Sequence, residues 1–309
     1  MHRYIIKRLF MLIPVLIGVS LVVFVLMDIV PGDPVDMIVS EDATEEQRAE
    51  VRAELGLDKP LLERYAVYML GLLKGDMGTS YVSNKDVFQT YMDKFPNTLV
   101  LAVASIIVAV GLSIPLGVLA ATHQNTLLDS GSSVLAILGL SMPNFWLGLL
   151  LIIAFSNKLP WFPSGGFDGF RSIILPAITE GTGLMALIMR TTRSSMLEVI
   201  RQDYITTARA KGVSERKVIY NHAFRNALIP VVTAAGMNFA YVLGGPVLTE
   251  TVFSWPGVGR LVVDSLNSHD IPMVTGCMVL TTLIVSIVNL LVDIFYAYID
   301  PRIKAQYAK

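Results

Sequence analysis

Cysteine is almost absent from this 309-residue chain: Cys277 stands alone. That excludes an internal disulfide and any metal site built from clustered thiolates. Charge is scarce as well. Only 16% of the residues are Asp, Glu, Lys or Arg, where soluble domains average about a quarter. A net charge of −1 gives no reason to expect nucleic acid or an acidic partner. Catalytic signatures are missing too. His2, His123, His222 and His269 have no metal-ligating residue three or four positions away. Ser194 and Ser195 have no nearby His and no Gly-x-Ser-x-Gly elbow. No Gly-x4-Gly-Lys-Ser/Thr loop occurs, and "GLLKGDMGTS" lacks the Lys-Ser/Thr after its second glycine. The chain is therefore not expected to cradle ATP itself. "PGVGR" has too few glycines for a dinucleotide fingerprint and reads as a turn. A transport or structural role is expected, not an enzyme.

What the chain has in quantity is apolar sequence. Hydrophobic residues make up 53%, and mean hydropathy is +0.60. Arg3, Lys7 and Arg8 precede an apolar run over 9–30, interrupted only by Asp28. The run exceeds the core of about 7–15 residues in a cleaved signal peptide. It meets the length of about 20 residues that a membrane-spanning helix needs. Five further spans are expected near 98–121, 134–156, 173–189, 227–248 and 274–298. The span at 173–189 carries Pro176, Glu180, Gly181 and Gly183, so part of it is expected to face water or another helix. No internal repeat is evident.

Basic residues orient the spans. Arg190, Arg193, Arg201, Arg209, Lys211, Arg216, Lys217 and Arg225 crowd one loop; Arg302, Lys304 and Lys309 lie in the tail. With six spans, both termini and this loop share one side, expected to be the cytoplasm. The first outer segment, 31–97, should hold two short amphipathic helices. "TEEQRAEVRAELGL" offers Thr44 as N-cap, Glu45 and Glu46 in the first turn, and Gly56 as the stop. "KPLLERYAVYMLGLLKG" places Pro60 near a helix start.

The basic loop reads as helix, turn, helix over 195–227. Asp203 is a candidate N-cap, Gly212 a C′ residue, and Ser214 the cap of a second helix that puts Val218, Ile219, His222 and Ala223 on one face. The spacing of Ala208, Gly212 and Val218 also fits a DNA-reading helix-turn-helix. Insertion into a major groove about 8.5 Å deep is incompatible with tethers to membrane helices at both ends. Two readings stay open from local physics: a rigid knob offered to a soluble partner, and an ordinary loop touching anionic lipid headgroups.

The segment "RTTRSSMLEVIRQDYITTARAKGVSERKVIYNHAFRNALIPVVT" resembles the cytoplasmic loop of permease subunits of bacterial ABC importers in the dipeptide, oligopeptide and nickel group. The general signature there is Glu-Ala-Ala-x3-Gly followed by Ile-x-Leu-Pro. Ala208 and Gly212 match it; Thr206 and Thr207 replace the Glu and first Ala, and Arg225 stands at a usual Pro. "SMPNFWLGLLLI", "ETVFSWPGVGRLVVDSLNSHDIP" and "LVDIFYAYIDPRI" are similar to the same group, so the resemblance spans nearly the whole chain.

The resemblance implies an all-α membrane protein with the type I ABC importer permease fold: an N-terminal span at 1–30, the outer segment 31–97, a five-helix translocation core at 98–298 and a cytoplasmic tail at 299–309. It implies residence in the bacterial inner membrane. It implies a coupling hairpin, with Ala208, Arg209, Lys211, Gly212, His222 and Arg225 as contact or bracing residues against an ATPase. The expected partners are a second homologous permease, two cytoplasmic ATPase subunits that bind ATP and Mg, and an external solute-binding protein facing 31–97 and 250–272. No cofactor is expected in this chain. Asn144, Glu180 and Asn238, polar residues on expected spans, either line the conduit or make helix–helix hydrogen bonds. Asp28 and Asp293 sit nearer span ends and read as structural. Cargo is expected to be di- or oligopeptide, with nickel or a metal chelate as the alternative. An ion-coupled secondary transporter would instead show repeat symmetry.

Overall fold

The computed structural model describes residues 2–40 and 42–299. Thirteen α-helices follow one another among them: α1 (His2–Ile29), α2 (Glu45–Glu54), α3 (Leu61–Leu73), α4 (Val87–Thr122), α5 (Leu127–Ser141), α6 (Asn144–Ile152), α7 (Phe170–Ile200), α8 (Asp203–Ala210), α9 (Glu215–Lys217), α10 (Arg225–Leu243), α11 (Val247–Val252), α12 (Val258–Asn267) and α13 (Ile271–Ile299). Wider π-helical turns extend α6 over Ile153–Lys158 and link α9 to α10 over Val218–Phe224. Beyond Ile299, the expected tail with Arg302, Lys304 and Lys309 lies outside the described residues.

Five of these helices are long and apolar enough to cross a membrane: α1, α4, α7, the continuous helix through α9 and α10, and α13. A sixth crossing exists if α5 and the helix after it count together. That pair is bent by 97°, so the straight span expected at 134–156 is corrected to a broken one. Met142 and Pro143 sit at the corner with extended backbone. Proline has no N–H and disfavours helical backbone at the residue before it. The span expected at 227–248 also ends early, at Leu243, because Gly244, Gly245 and Pro246 interrupt it. α4 starts at Val87, within the expected outer segment 31–97, and runs through Pro96 without a break.

The two amphipathic helices form where expected. Thr44 accepts a hydrogen bond from the Gln47 N–H and Gln47 answers at the Thr44 N–H, a complete capping box. Gly56 adopts a φ of +66° just past α2, a left-handed turn that costs glycine little. α3 lies on α1: Tyr65 and Tyr68 join Val23, Phe24 and Met27 of α1 and Ile271 and Val274 of α13 in one apolar cluster. Arg64 reaches Asp28 at 2.8 Å, and Arg8 reaches Asp293 at 2.9 Å. Both acids thus brace helix pairs.

α4 and α7 form the centre. Their crossing is lined by small residues, so the backbones come close. A Cβ added at Gly181 would stand 2.8 Å from the Ser105 carbonyl oxygen. One at Gly117 would stand 2.9 Å from the Met189 carbonyl oxygen. Around this crossing, Ala102 and Ala109 of α4, Leu184 and Ile188 of α7, and Val231, Ala234, Val242 and Leu243 of α10 make a continuous core.

Candidate functional site

Two features carry functional geometry. The first is the hairpin between α7 and α10. α8 is capped by Gln202 and not by Asp203, which falls one position later as the acid of the first turn. At its other end Gly212 adopts a φ of +77°. The Gly212 N–H reaches the Arg209 carbonyl at 2.9 Å and the Val213 N–H reaches the Ala208 carbonyl at 3.3 Å, the paired bonds of a Schellman stop. Ser214 caps α9 by position, without a side-chain bond.

The second arm departs from the expected α-helix. Only α9 is α-helical before the π-turns of Val218–Phe224 begin. Val218, Ile219 and Ala223 are buried as expected, but His222 is exposed. The wider i→i+5 turn rotates His222 from the middle of that face to its edge. Beneath the hairpin, Ile205, Val218, Ile219, Ala223 and Ala227 pack on Val118 and Ala121 of α4 and Met196 of α7. Ala208 is half-buried against this cluster, facing its own chain. Arg209 clamps Glu215 across the turn, Nη2 to Oε1 at 2.7 Å and Nε to Oε2 at 3.1 Å. The carboxylate raises the guanidinium further above its ordinary pKa, so this cation is permanent. Asn226 donates to the Tyr204 hydroxyl at 2.8 Å, joining the two arms again. The result is a braced knob. Its outward surface shows Arg209, Lys211, Gly212, His222 and Arg225, and nothing lies within 4 Å of a Cβ built at Gly212.

The second feature is a cavity of about 720 Å³ bounded by α5, α6, α7 and α10. Asn144, Glu180 and Asn238 all line it, so residues far apart in sequence share one wall. Glu180 is buried; its Oε2 accepts from the Thr249 hydroxyl at 2.7 Å and from the Asn144 amide at 3.1 Å. The Asn238 amide donates to its own helix, at the Ala234 carbonyl, 2.8 Å away. Arg190 and Arg193 line the end nearest the hairpin. Arg193 is bound to Asp129 of α5 by two bonds of 2.7 Å.

Two parts of this wall, Tyr241 and Arg190, were not singled out from sequence, nor was Thr249, the hydroxyl partner of Glu180. Arg190 was counted only as loop charge, and Thr249 lies beyond the predicted conduit spans. Glu250 also departs from expectation. Within the segment 250–272, expected to face the solute-binding protein, Glu250, Phe253 and Trp255 are fully buried. Glu250 accepts from the Thr98 hydroxyl at 2.7 Å and the Arg260 N–H at 3.0 Å. Gly257 and Gly259 of "PGVGR" leave room for its carboxylate. The turn expected there exists only as far as Gly257, the N-cap position of α12.

The family described as "binding-protein-dependent transport system inner membrane component" matches residues 113–305, and its N-terminal counterpart matches 1–102. The chain belongs to this family. Among curated relatives, the oligopeptide transport system permease protein AppB of Bacillus subtilis (strain 168) is 41% identical over 98% of this chain and 100% of its own length. The dipeptide transport system permease protein DppB of Escherichia coli (strain K12) is 41% identical over 98% and 99%. The glutathione transport system permease protein GsiC of Salmonella typhi is 42% identical over 98% and 99%. Inward-facing structures of the MetNI methionine ABC transporter superpose with a TM-score of 0.58 at 17% identity, covering 69% of this chain and 97% of theirs. That likeness establishes the fold of the core: the permease has the type I ABC importer architecture. Like its family, it is a multi-pass component of the bacterial inner membrane.

Proposed function

We propose that this permease imports di- or oligopeptides, driven by ATP that separate subunits bind with Mg and hydrolyse. The names of its curated relatives, which cite oligopeptides, dipeptides and glutathione, support peptide cargo over nickel. In this reading the chain forms half of a conduit and a second homologous permease forms the other half. Asn144, Glu180 and Asn238 face the path. An external solute-binding protein delivers cargo to the side opposite the hairpin. The hairpin and both termini face the cytoplasm.

One observation carries the proposal: the hairpin is rigid from within and open from without. Its apolar face is seated on α4 and α7, and Arg209–Glu215 locks its turn. A lipid-binding loop has no need of either. A force applied at Gly212 passes through this seat to the α4–α7 crossing, and rocking of that pair opens the conduit to alternate sides. Ala208 then acts by letting α8 lie close to the chain's own core, and Arg209 by bracing the turn. Lys211, Gly212, His222 and Arg225 are the contact surface for the ATPase.

Co-purification from native membranes tests the reading. Two ATPase subunits, a second permease and a solute-binding protein are expected to elute with this chain. A cross-linker placed at Lys211 should capture an ATPase. An assembly with no ATPase touching the hairpin would overturn the reading.

A further inference from the structure

The cavity wall carries opposite charges at its two ends. Glu180 lies deep, on the stretch of α7 that meets α6 and α11. Arg190 lies on the same helix near the mouth beside the hairpin, and both line the same cavity. Neither charge is neutralised by an opposite charge among the described residues. Glu180 accepts two neutral hydrogen bonds on Oε2; among the described residues none reaches Oε1 and no cation pairs with the carboxylate. Arg193 is committed to Asp129, but Arg190 has no such acid among the described residues. Between the two ends the α5 and α7 walls are aliphatic, with Leu184 and Leu187 on α7 and Ile137 and Leu140 on α5, while Asn238 and Tyr241 of α10 also line the cavity.

An isolated charge in a membrane cavity is costly, and it persists where it meets a partner that arrives later. The spacing identifies that partner. At about 1.5 Å per residue, Glu180 and Arg190 are about 15 Å apart along the axis. An extended peptide covers about 3.3–3.6 Å per residue, so its two charged ends match this separation at about four residues. The reach of the arginine side chain brings shorter peptides within it. The aliphatic stretch accepts side chains without choosing among them.

We propose that Glu180 and Arg190 form a binding site for the two termini of a short peptide in transit. The protonated amino end sits on Glu180 Oε1, and the carboxylate end meets the Arg190 guanidinium. The peptide thus lies with its carboxylate toward the hairpin mouth. This deepens, and rests on, the reading of the chain as a peptide importer component.

The test uses the assembled permease pair with its ATPase subunits in nanodiscs, without the solute-binding protein, so that only the conduit selects. Equilibrium binding is measured for trialanine, N-acetyl-trialanine and trialanine amide. The wild-type assembly is expected to bind trialanine about tenfold more tightly than either blocked form, the scale of one hydrogen-bonded charge contact. Glu180→Gln should abolish the preference over the acetylated peptide, and Glu180→Asp should restore part of it. Arg190→Gln should abolish the preference over the amide. Equal binding of the three peptides by the wild type, or no binding, would overturn the site. So would an equal loss for all three in Glu180→Gln, the mark of a purely structural brace. ATP-driven uptake of trialanine by the complete importer is measured in parallel. Its absence defeats the importer reading; uptake without terminal discrimination in the nanodiscs defeats the site alone.

Discussion

Arg193 of α7 holds Asp129 of α5 in a two-pronged grip, Nε to Oδ1 and Nη2 to Oδ2, each at 2.7 Å. The Asn125 N–H adds a third bond to the same carboxylate at 3.0 Å. The fork matches the carboxylate geometry, and Asp129 is only 6% exposed. This clamp fixes the start of the bent span against the helix that lines the cavity.

Breaking the clamp should be felt in stability. Asp129→Ala leaves Arg193 partly buried without its partner. Full burial would cost about 3–5 kcal/mol; the arginine is 29% exposed, so a loss of about 1–3 kcal/mol is expected. Thermal melting of the purified assembly checks this, and the charge-swapped double variant Asp129→Arg with Arg193→Asp should recover part of the loss. An unchanged melting temperature in Asp129→Ala would show that other contacts hold α5.

The α4–α7 crossing predicts a contrast between two glycines on different faces. Gly181→Val places its side chain against the Ser105 carbonyl and Val108, and overpacking there should cost about 1–3 kcal/mol. Gly111, on α4, has nothing within 4 Å of an added Cβ. Gly111→Ala should leave the melting temperature at or slightly above the wild-type value. Equal behaviour of the two variants would mean that the helices do not meet as described.

Gly212→Trp separates folding from coupling. The left-handed φ makes any side chain cost about 1–3 kcal/mol locally, but the space around it is open. The variant should reach the membrane in near-normal amounts and assemble. ATP-driven uptake should fall at least tenfold while hydrolysis of ATP continues, because bulk at the tip holds the proposed ATPase partner away from the knob. Wild-type uptake would remove Gly212 from the contact surface.

Orientation can be read with reporter fusions. Fusions after Gln124 and after Val213 should report the cytoplasm, and one after Ala43 the outside. The inverted pattern would overturn the assignment of the hairpin to the ATPase side.

The sequence alone determined the elements whose causes are local. Apolar length marked the spans, Thr44 and Gly56 bounded α2, and Gly212 stopped α8, because a cap or a left-handed turn depends on residues a few positions apart. The same logic made the hairpin visible: basic residues, helix formers and one glycine lie side by side. It also kept the resemblance to importer permeases within reach, since the matching motifs are contiguous.

Tertiary structure alone decided the rest. The 97° bend between α5 and α6 cannot be read from hydropathy, because both limbs are apolar; Pro143 breaks the helix locally, and packing fixes the angle. The π-turns that swing His222 outward depend on how the hairpin sits over Val118 and Met196. Glu180, Asn144 and Arg190 line one cavity, and Thr249 bonds Glu180, because α6, α7 and α11 converge at that carboxylate. Glu250 is buried because Thr98 and the Arg260 N–H satisfy its oxygens. Polar groups in an apolar setting are placed by their hydrogen-bond partners, and those partners come from distant parts of the chain.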